Sequence, residues 1–194
     1  MSPCEDLSRN STPASRPLLI TSFRTWRAHQ PSNSSHDLLA AMQQAEQFPK
    51  NTVWLANLPV NFELAPVRVI NAMYRLWPRA IVCCGMAENR ALLSLERQAK
   101  GPLKVLQTSL NLDSLLLGTH LSEISNDAGS YVCNALYYRV LESVLESMQN
   151  WTMPNRRCKS TVIPCLFVHV PPLNDKTQTF VQADLFSVLN KING

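Results

Sequence analysis

Apolar residues fall along this chain in short unbroken runs, separated by stretches where they recur every third or fourth position. The runs at 17–23 (PLLITSF), 52–60 (TVWLANLPV), 80–84 (AIVCC) and 161–170 (TVIPCLFVHV) have the length and branched aliphatic content of strands covered on both faces. Between them lie segments of helical period. One spans 35–47, with Asp37 in its first turn and Pro49 closing it. Another is opened by Pro66, runs through Val69, Ile70, Met73, Tyr74 and Leu76, and ends at Pro78. A long one covers 131–153 without Gly or Pro, its apolar stripe made by Leu136, Tyr137, Val140, Leu141, Val144 and Met148. A last amphipathic helix is predicted over 180–189. The run 91–98 is extended and is expected at the sheet edge with Glu96 in its polar phase, while 113–121 is only weakly helical.

Strands alternating with helices, the strands almost continuously apolar, predict a single α/β domain over 17–194. It is a three-layer α/β/α arrangement around a mostly parallel, mixed central sheet. Residues 1–16 are rich in Ser, Pro and charge and have no period, so they are expected to form a disordered leader.

Composition narrows the partners. An apolar fraction of 45% in 194 residues suffices for a real core. The net charge of +4 is scattered apart from Arg156, Arg157 and Lys159, so no nucleic-acid partner is expected. No stretch has the length and apolarity of a membrane span, and no secretory signal opens the chain. Cys4, Cys83, Cys84, Cys133, Cys158 and Cys165 show neither C-x-x-C pairs nor metal-ligand spacing. Reduced thiols in the cytoplasm are therefore expected, with no metal and no cofactor.

Chemistry concentrates at 125–134 (SNDAGSYVCN), a turn feeding the long helix. Asp127 and Ser130 are candidate caps, Gly129 allows an unusual φ, and Cys133 falls in the first turn. There the helix dipole favours thiolate, although a small core residue is the commoner role of a free cysteine. A cysteine hydrolase also needs an imidazole to take the thiol proton and a group to hold that imidazole. His169, ending an apolar strand, and Glu96 are the candidates. His29, His36 and His120 lie in loops or at a helix start and are expected to be solvated. Glu96, next to Arg97, has a surface ion pair as its alternative role. Sites in such sheets gather at strand carboxyl ends and helix N-termini, where Cys133, His169 and the loop after Phe23 would meet.

These residues resemble the pyroglutamyl-peptidase I (pyrrolidone-carboxylate peptidase) family. The resemblance rests on the SNDAGSYVCN string together with 18–23 (LLITSF), 57–60 (NLPV), 84–87 (CGMA) through Arg90, 95–99 (LERQA) and 167–171 (FVHVP), all in the family's order. It implies a peptidase that removes N-terminal 5-oxoproline from peptides through a thioester, with Cys133 as nucleophile, His169 as general base and Glu96 orienting the imidazole. It also implies that Phe23 and Trp26 grip the lactam ring, Trp26 standing where the family has Phe. The family often self-associates, so the expected partners are a peptide or small-amide substrate and a homo-oligomer. The departures are specific. Ser22 replaces a glycine, so glycine-only backbone conformations are expected to be lost there. Two glycines after the second aromatic are missing, 96–133 is short, 133–169 is long, and the family's oxyanion-side arginine has no counterpart. Two other readings stay open: a thiol amidohydrolase for a different small amide, and a binding protein that kept the fold without turnover.

Overall fold

The structure, a computed structural model, describes residues 16–26, 30–151 and 162–193. The expected leader (apart from Arg16), His29, the basic cluster and the loop at 154–160 lie outside those residues. β1 (Leu18–Phe23) is buried at every position. It is flanked by β2 (Thr52–Leu58) and β3 (Ala80–Met86), both parallel to it. β8 (Cys165–Val170) lies parallel to β3, and β4 (Leu93–Glu96) runs antiparallel to β8. β7 (Ser122–Ser125) completes the mixed six-stranded sheet in the order β2-β1-β3-β8-β4-β7. This is the α/β fold expected from the alternating pattern.

Strand alternation divides the core into two layers. Leu19, Phe23, Ile81, Cys83, Cys165 and Phe167 face α2 (Leu64–Leu76) and α4 (Val132–Trp151). Leu18, Ile20, Val82, Leu166 and Val168 face α1 (Ser34–Gln44) and α5 (Gln178–Asn193), with the short α3 (Leu112–Leu116) beside α5. The two cysteine-bearing face patterns explain why 80–84 reads as one continuous apolar run: both of its faces are covered.

Several elements differ from the sequence expectation, each for a physical reason. β4 is not the edge strand; β7 is. The edge escaped notice because SEIS is short, polar and only half-buried. A small hairpin of β5 (Gln98–Lys100) and β6 (Val105–Gln107) follows β4 and carries too few apolar residues to show a period. α2 starts two residues before Pro66, which sits in the first turn, where a missing N–H costs nothing. Ala135 N–H bonds to the Tyr131 carbonyl, which puts the cap of α4 at Tyr131 rather than at Asp127 or Ser130. Asp127 instead accepts from Gly129 N–H and pairs with Lys100. Asp184 on α5 accepts from His120 N–H, Leu121 N–H and the Ser122 hydroxyl, docking the start of β7 to that helix.

Two features aim the sheet at what becomes the site. The β1–β2 register jumps between Thr21–Leu55 and Phe23–Leu58, and Asn57 absorbs the extra residue at φ 58, a left-handed value that Asn tolerates. The buried Tyr137 hydroxyl on α4 donates to the Glu96 carbonyl at 3.0 Å, fastening the cysteine helix to the end of β4. Tyr137→Phe leaves that carbonyl without its donor and is expected to cost about 1–2 kcal/mol in urea unfolding, with little change in the denaturant slope.

Candidate active site

Glu96 ends β4, His169 is the penultimate residue of β8, and Cys133 is the second residue of α4. In the β4–β8 ladder Ser94 faces His169 and Glu96 faces Phe167. Residues directly opposite, and those two further along, point to the same side, so Glu96 and His169 both project toward the α4 layer. There His169 Nδ1 meets Glu96 Oε1 at 2.7 Å. With Nδ1 engaged by a carboxylate, the ring's Nε2 is the atom left to exchange a proton. Glu96 is completely buried, which removes the surface ion pair with Arg97 as its role; Arg97 lies 3.9 Å from Asp113 instead.

Cys133 reaches this spot because Gly85 makes room. Gly85 pairs with His169 across β3 and β8, and a Cβ on it would lie 2.9 Å from Cys133 Sγ and 2.8 Å from Phe167 Cζ. The thiol does not have the lowered pKa expected from its helix position. Burial first, and then the Glu96 carboxylate, push it up to about 12, while its own backbone N–H and Arg90 pull more weakly the other way. Desolvation of a thiolate outweighs a helix terminus, whose contribution is on the order of 1 kcal/mol. The resting group is therefore a protonated thiol, and a base would have to take its proton before the sulfur could act as a nucleophile. Cys84 and Cys165, sealed in the core, are raised further into inertness by the same burial.

A cavity of about 350 Å³ opens over these groups, and Cys133, His169, Phe23 and Trp26 all line it. Phe23 is buried in its wall, whereas Trp26 is 42% exposed at the rim, its ring 5.1 Å from that of Tyr131. Tyr131 in turn meets Phe62 edge-on at 5.7 Å. Tyr131 and Val60 were not anticipated as lining residues, although each belongs to, or ends, one of the motifs. Ser22 does not need a glycine's conformation. It is absent from the residues of positive φ, and its hydroxyl, on the opposite sheet face, accepts from Trp54 Nε1 at 3.1 Å.

Arg90 is the functional candidate that sequence reasoning left without a role. Its Nη2 lies 2.8 Å from Glu96 Oε1 and donates to the Asp127 carbonyl at 2.7 Å. Its place within a motif was visible; its partner, the buried carboxylate at the end of β4, was not. Among the described residues, no group of three or more His, Cys, Asp or Glu side chains could hold a metal ion, and no helix is long and apolar enough to cross a membrane.

A half-buried thiol at a helix N-terminus beside a carboxylate-held histidine, on a mixed α/β sheet, is the arrangement of an α/β thiol hydrolase. Comparison with known proteins gives the relatives. No protein-family model matches the chain. It is 28% identical to the pyrrolidone-carboxylate peptidase of Deinococcus radiodurans, over 79% of this chain and 77% of that protein. Its fold matches pyroglutamyl peptidase I of Bacillus amyloliquefaciens with a TM-score of 0.73 at 18% identity, covering 92% of this chain and 98% of that one. Pyrrolidone carboxyl peptidase from Thermus thermophilus follows with a TM-score of 0.66 at 22% identity, covering 89% and 98%. The chain is thus similar in sequence to a pyrrolidone-carboxylate peptidase and has the fold of pyroglutamyl peptidase I.

Two outcomes follow from the geometry of Cys133. Gly85→Ala forces Sγ or the Phe167 ring aside and should slow mass-mapped iodoacetamide labelling of Cys133 while the fold persists. With the thiol pushed up to about 12, labelling of Cys133 in a His169→Ala background should keep rising with pH beyond about pH 9, because each step upward releases more thiolate. A plateau below about pH 8 would contradict the raised thiol.

Proposed function

We propose that this chain is a cysteine peptidase that removes an N-terminal 5-oxoproline residue from peptides. The observation that carries this reading is the buried 2.7 Å contact of His169 with Glu96, opening onto the same cavity as Cys133. The names of the sequence relative and of the structural neighbours support the substrate class. The cavity suits it chemically: an uncharged lactam gains from apolar walls such as Phe23, Val60 and Val132 and asks for no buried counter-ion.

In the reaction His169 Nε2 takes the Cys133 proton as Sγ attacks the carbonyl carbon of the 5-oxoprolyl residue. Burial keeps the resting thiol protonated, so a base is needed to take its proton. The backbone N–H of Cys133, in the first turn of α4, is placed to donate to the oxyanion. Collapse of the tetrahedral species breaks the C–N bond, and the imidazolium gives its proton to the departing amine. The thioester is then hydrolysed by water that His169 deprotonates, which frees 5-oxoproline and restores the thiol. Glu96 holds the ring with Nε2 outward and offsets the imidazolium charge.

One observation favours a second reading, a thiol amidohydrolase for a different small amide. Trp26 stands at the rim on Tyr131 and is 42% exposed, while Phe23 is enclosed, so the two aromatic positions are covered very differently.

Release of a chromophore from a 5-oxoprolyl amide tests the first reading directly. Cys133→Ala should abolish it, and His169→Ala should reduce kcat about 100-fold or more. Glu96→Gln should leave partial activity, since it orients rather than transfers; a neutral Glu96→Gln would remove Glu96 from the reacting set. Trp26→Ala should raise KM on the order of tenfold, about 1.4 kcal/mol, with a smaller effect on kcat. If Trp26→Phe lowers 5-oxoprolyl turnover at unchanged stability, the pocket is shaped for a larger amide and the second reading takes over.

A further inference from the structure

A buried carboxylate needs more than a hydrogen bond to an imidazole; it needs a permanent counter-charge. Removing a carboxylate from water costs several kcal/mol unless a cation stands next to it, and a neutral His supplies a hydrogen bond but no charge. Glu96 has no exposed surface, and its Oε2 makes no hydrogen bond among the described residues. A cation beside it is therefore part of what holds the carboxylate in that place.

Among the described residues Glu96 forms ion pairs with His169 and Arg90, both through Oε1. The other nearby cations are committed elsewhere: Arg97 lies beside Asp113, and Lys100 pairs with Asp127 at 3.0 Å. Arg90 does more than balance charge. The nitrogen that reaches Glu96 also bonds the Asp127 carbonyl, in the turn that leads into α4 and Cys133. That turn is braced from within, since Asp127 accepts from Gly129 N–H and its own N–H bonds the Ser125 hydroxyl. The other Arg90 nitrogen lies 4.0 Å from Glu123, on β7. One guanidinium thus joins β4, β7 and the turn before the nucleophile.

We propose that Arg90 is a positioning residue that supplies the counter-charge to the buried Glu96 carboxylate and ties the Glu96–His169 pair to the turn carrying Cys133. This rests on reading Cys133, His169 and Glu96 as the reacting set. The charged and titratable groups facing Arg90 are Glu96 on β4, His169 on β8, Glu123 on β7, Cys133 on α4 and the Asp127–Lys100 pair, with Glu88 on its own loop held by Gln30. With Arg90 removed, the uncompensated carboxylate disfavours the Cys133 thiolate more strongly, and the cation that opposed it is gone. Thiol reactivity, and with it activity, is displaced toward higher pH.

The test compares Arg90→Met, Arg90→Lys and the double variant Arg90→Met/Glu96→Gln with the wild type and with Glu96→Gln. Two readouts are taken across pH: mass-mapped iodoacetamide labelling of Cys133, and kcat/KM on a 5-oxoprolyl amide. Arg90→Met should move the labelling profile and the acid limb of kcat/KM upward by about one pH unit or more, and Arg90→Lys should bring both back toward wild type. In the double variant no buried ion is left unpaired, so it should fold, and its displacement from Glu96→Gln should be smaller than that of Arg90→Met from the wild type. The proposal is overturned if Arg90→Met lowers thermal stability without moving either profile, or if Arg90→Lys is displaced as far as Arg90→Met. A displacement just as large when Glu96 is already Gln overturns it as well. Should Arg90→Met fail to fold, Arg90→Lys and the double variant still decide the matter. Labelling needs no substrate, so a wild type that cannot cleave 5-oxoprolyl amides would sink the peptidase reading while leaving the role of Arg90 to the labelling profiles.

Discussion

Glu96 is a carboxylate with no access to water, and most of the site is arranged as the consequence of keeping it there. Its Oε1 is shared by His169 at 2.7 Å and Arg90 at 2.8 Å, while its carbonyl takes the Tyr137 hydroxyl at 3.0 Å. Three elements, β8, the loop after β3 and α4, are therefore fastened to one residue at the end of a four-residue strand. A lone buried charge would be expensive; paired and hydrogen-bonded, it fixes the imidazole's orientation and hence which ring nitrogen faces the cavity.

The thiol obeys a different constraint. A helix N-terminus stabilises an anion by a modest amount, whereas burial and a neighbouring carboxylate act against it more strongly. The net result is a thiol that stays protonated at rest and, in the proposed reaction, depends on His169 to take its proton. Position rather than standing reactivity then distinguishes Cys133 from Cys83, Cys84 and Cys165: it alone of these four lines the cavity and is not sealed in the core. Gly85 is the smallest element of that position and one of the most consequential, because any side chain there would occupy the space of the sulfur.

Fold and specificity separate cleanly in this molecule. Structures with 18% and 22% identity share its architecture, since a doubly covered sheet asks for apolar volume in the right alternation more than for particular side chains. Ser22 shows the same tolerance: in place of a glycine it stays in ordinary strand geometry and spends its hydroxyl on Trp54 and His36. The rim of the cavity has no such buffer. Trp26, Tyr131 and Phe62 form a half-exposed aromatic row, and which amide enters past it depends on shapes that the core does not constrain.

The sequence by itself determined the sandwich of helices about a mixed sheet, the strands of its centre and the long helix behind Cys133, because continuous apolar runs and a 3.6-residue period are local properties. It also singled out Cys133, His169 and Glu96, through the string before the helix, the strand end and the order of the short motifs. It did not determine that β4 is an inner strand, since its covering partner β7 is a half-polar tetrapeptide with no period to read. Nor could it set the state of the thiol or show that Arg90 is the second partner of Glu96, beside His169. A pKa depends on burial and on charges brought in from other strands, and the bond from Arg90 to Asp127 spans 37 positions of chain. Those contacts exist only once the sheet has closed, which is why the role of Arg90 and the raised thiol belong to the tertiary structure alone.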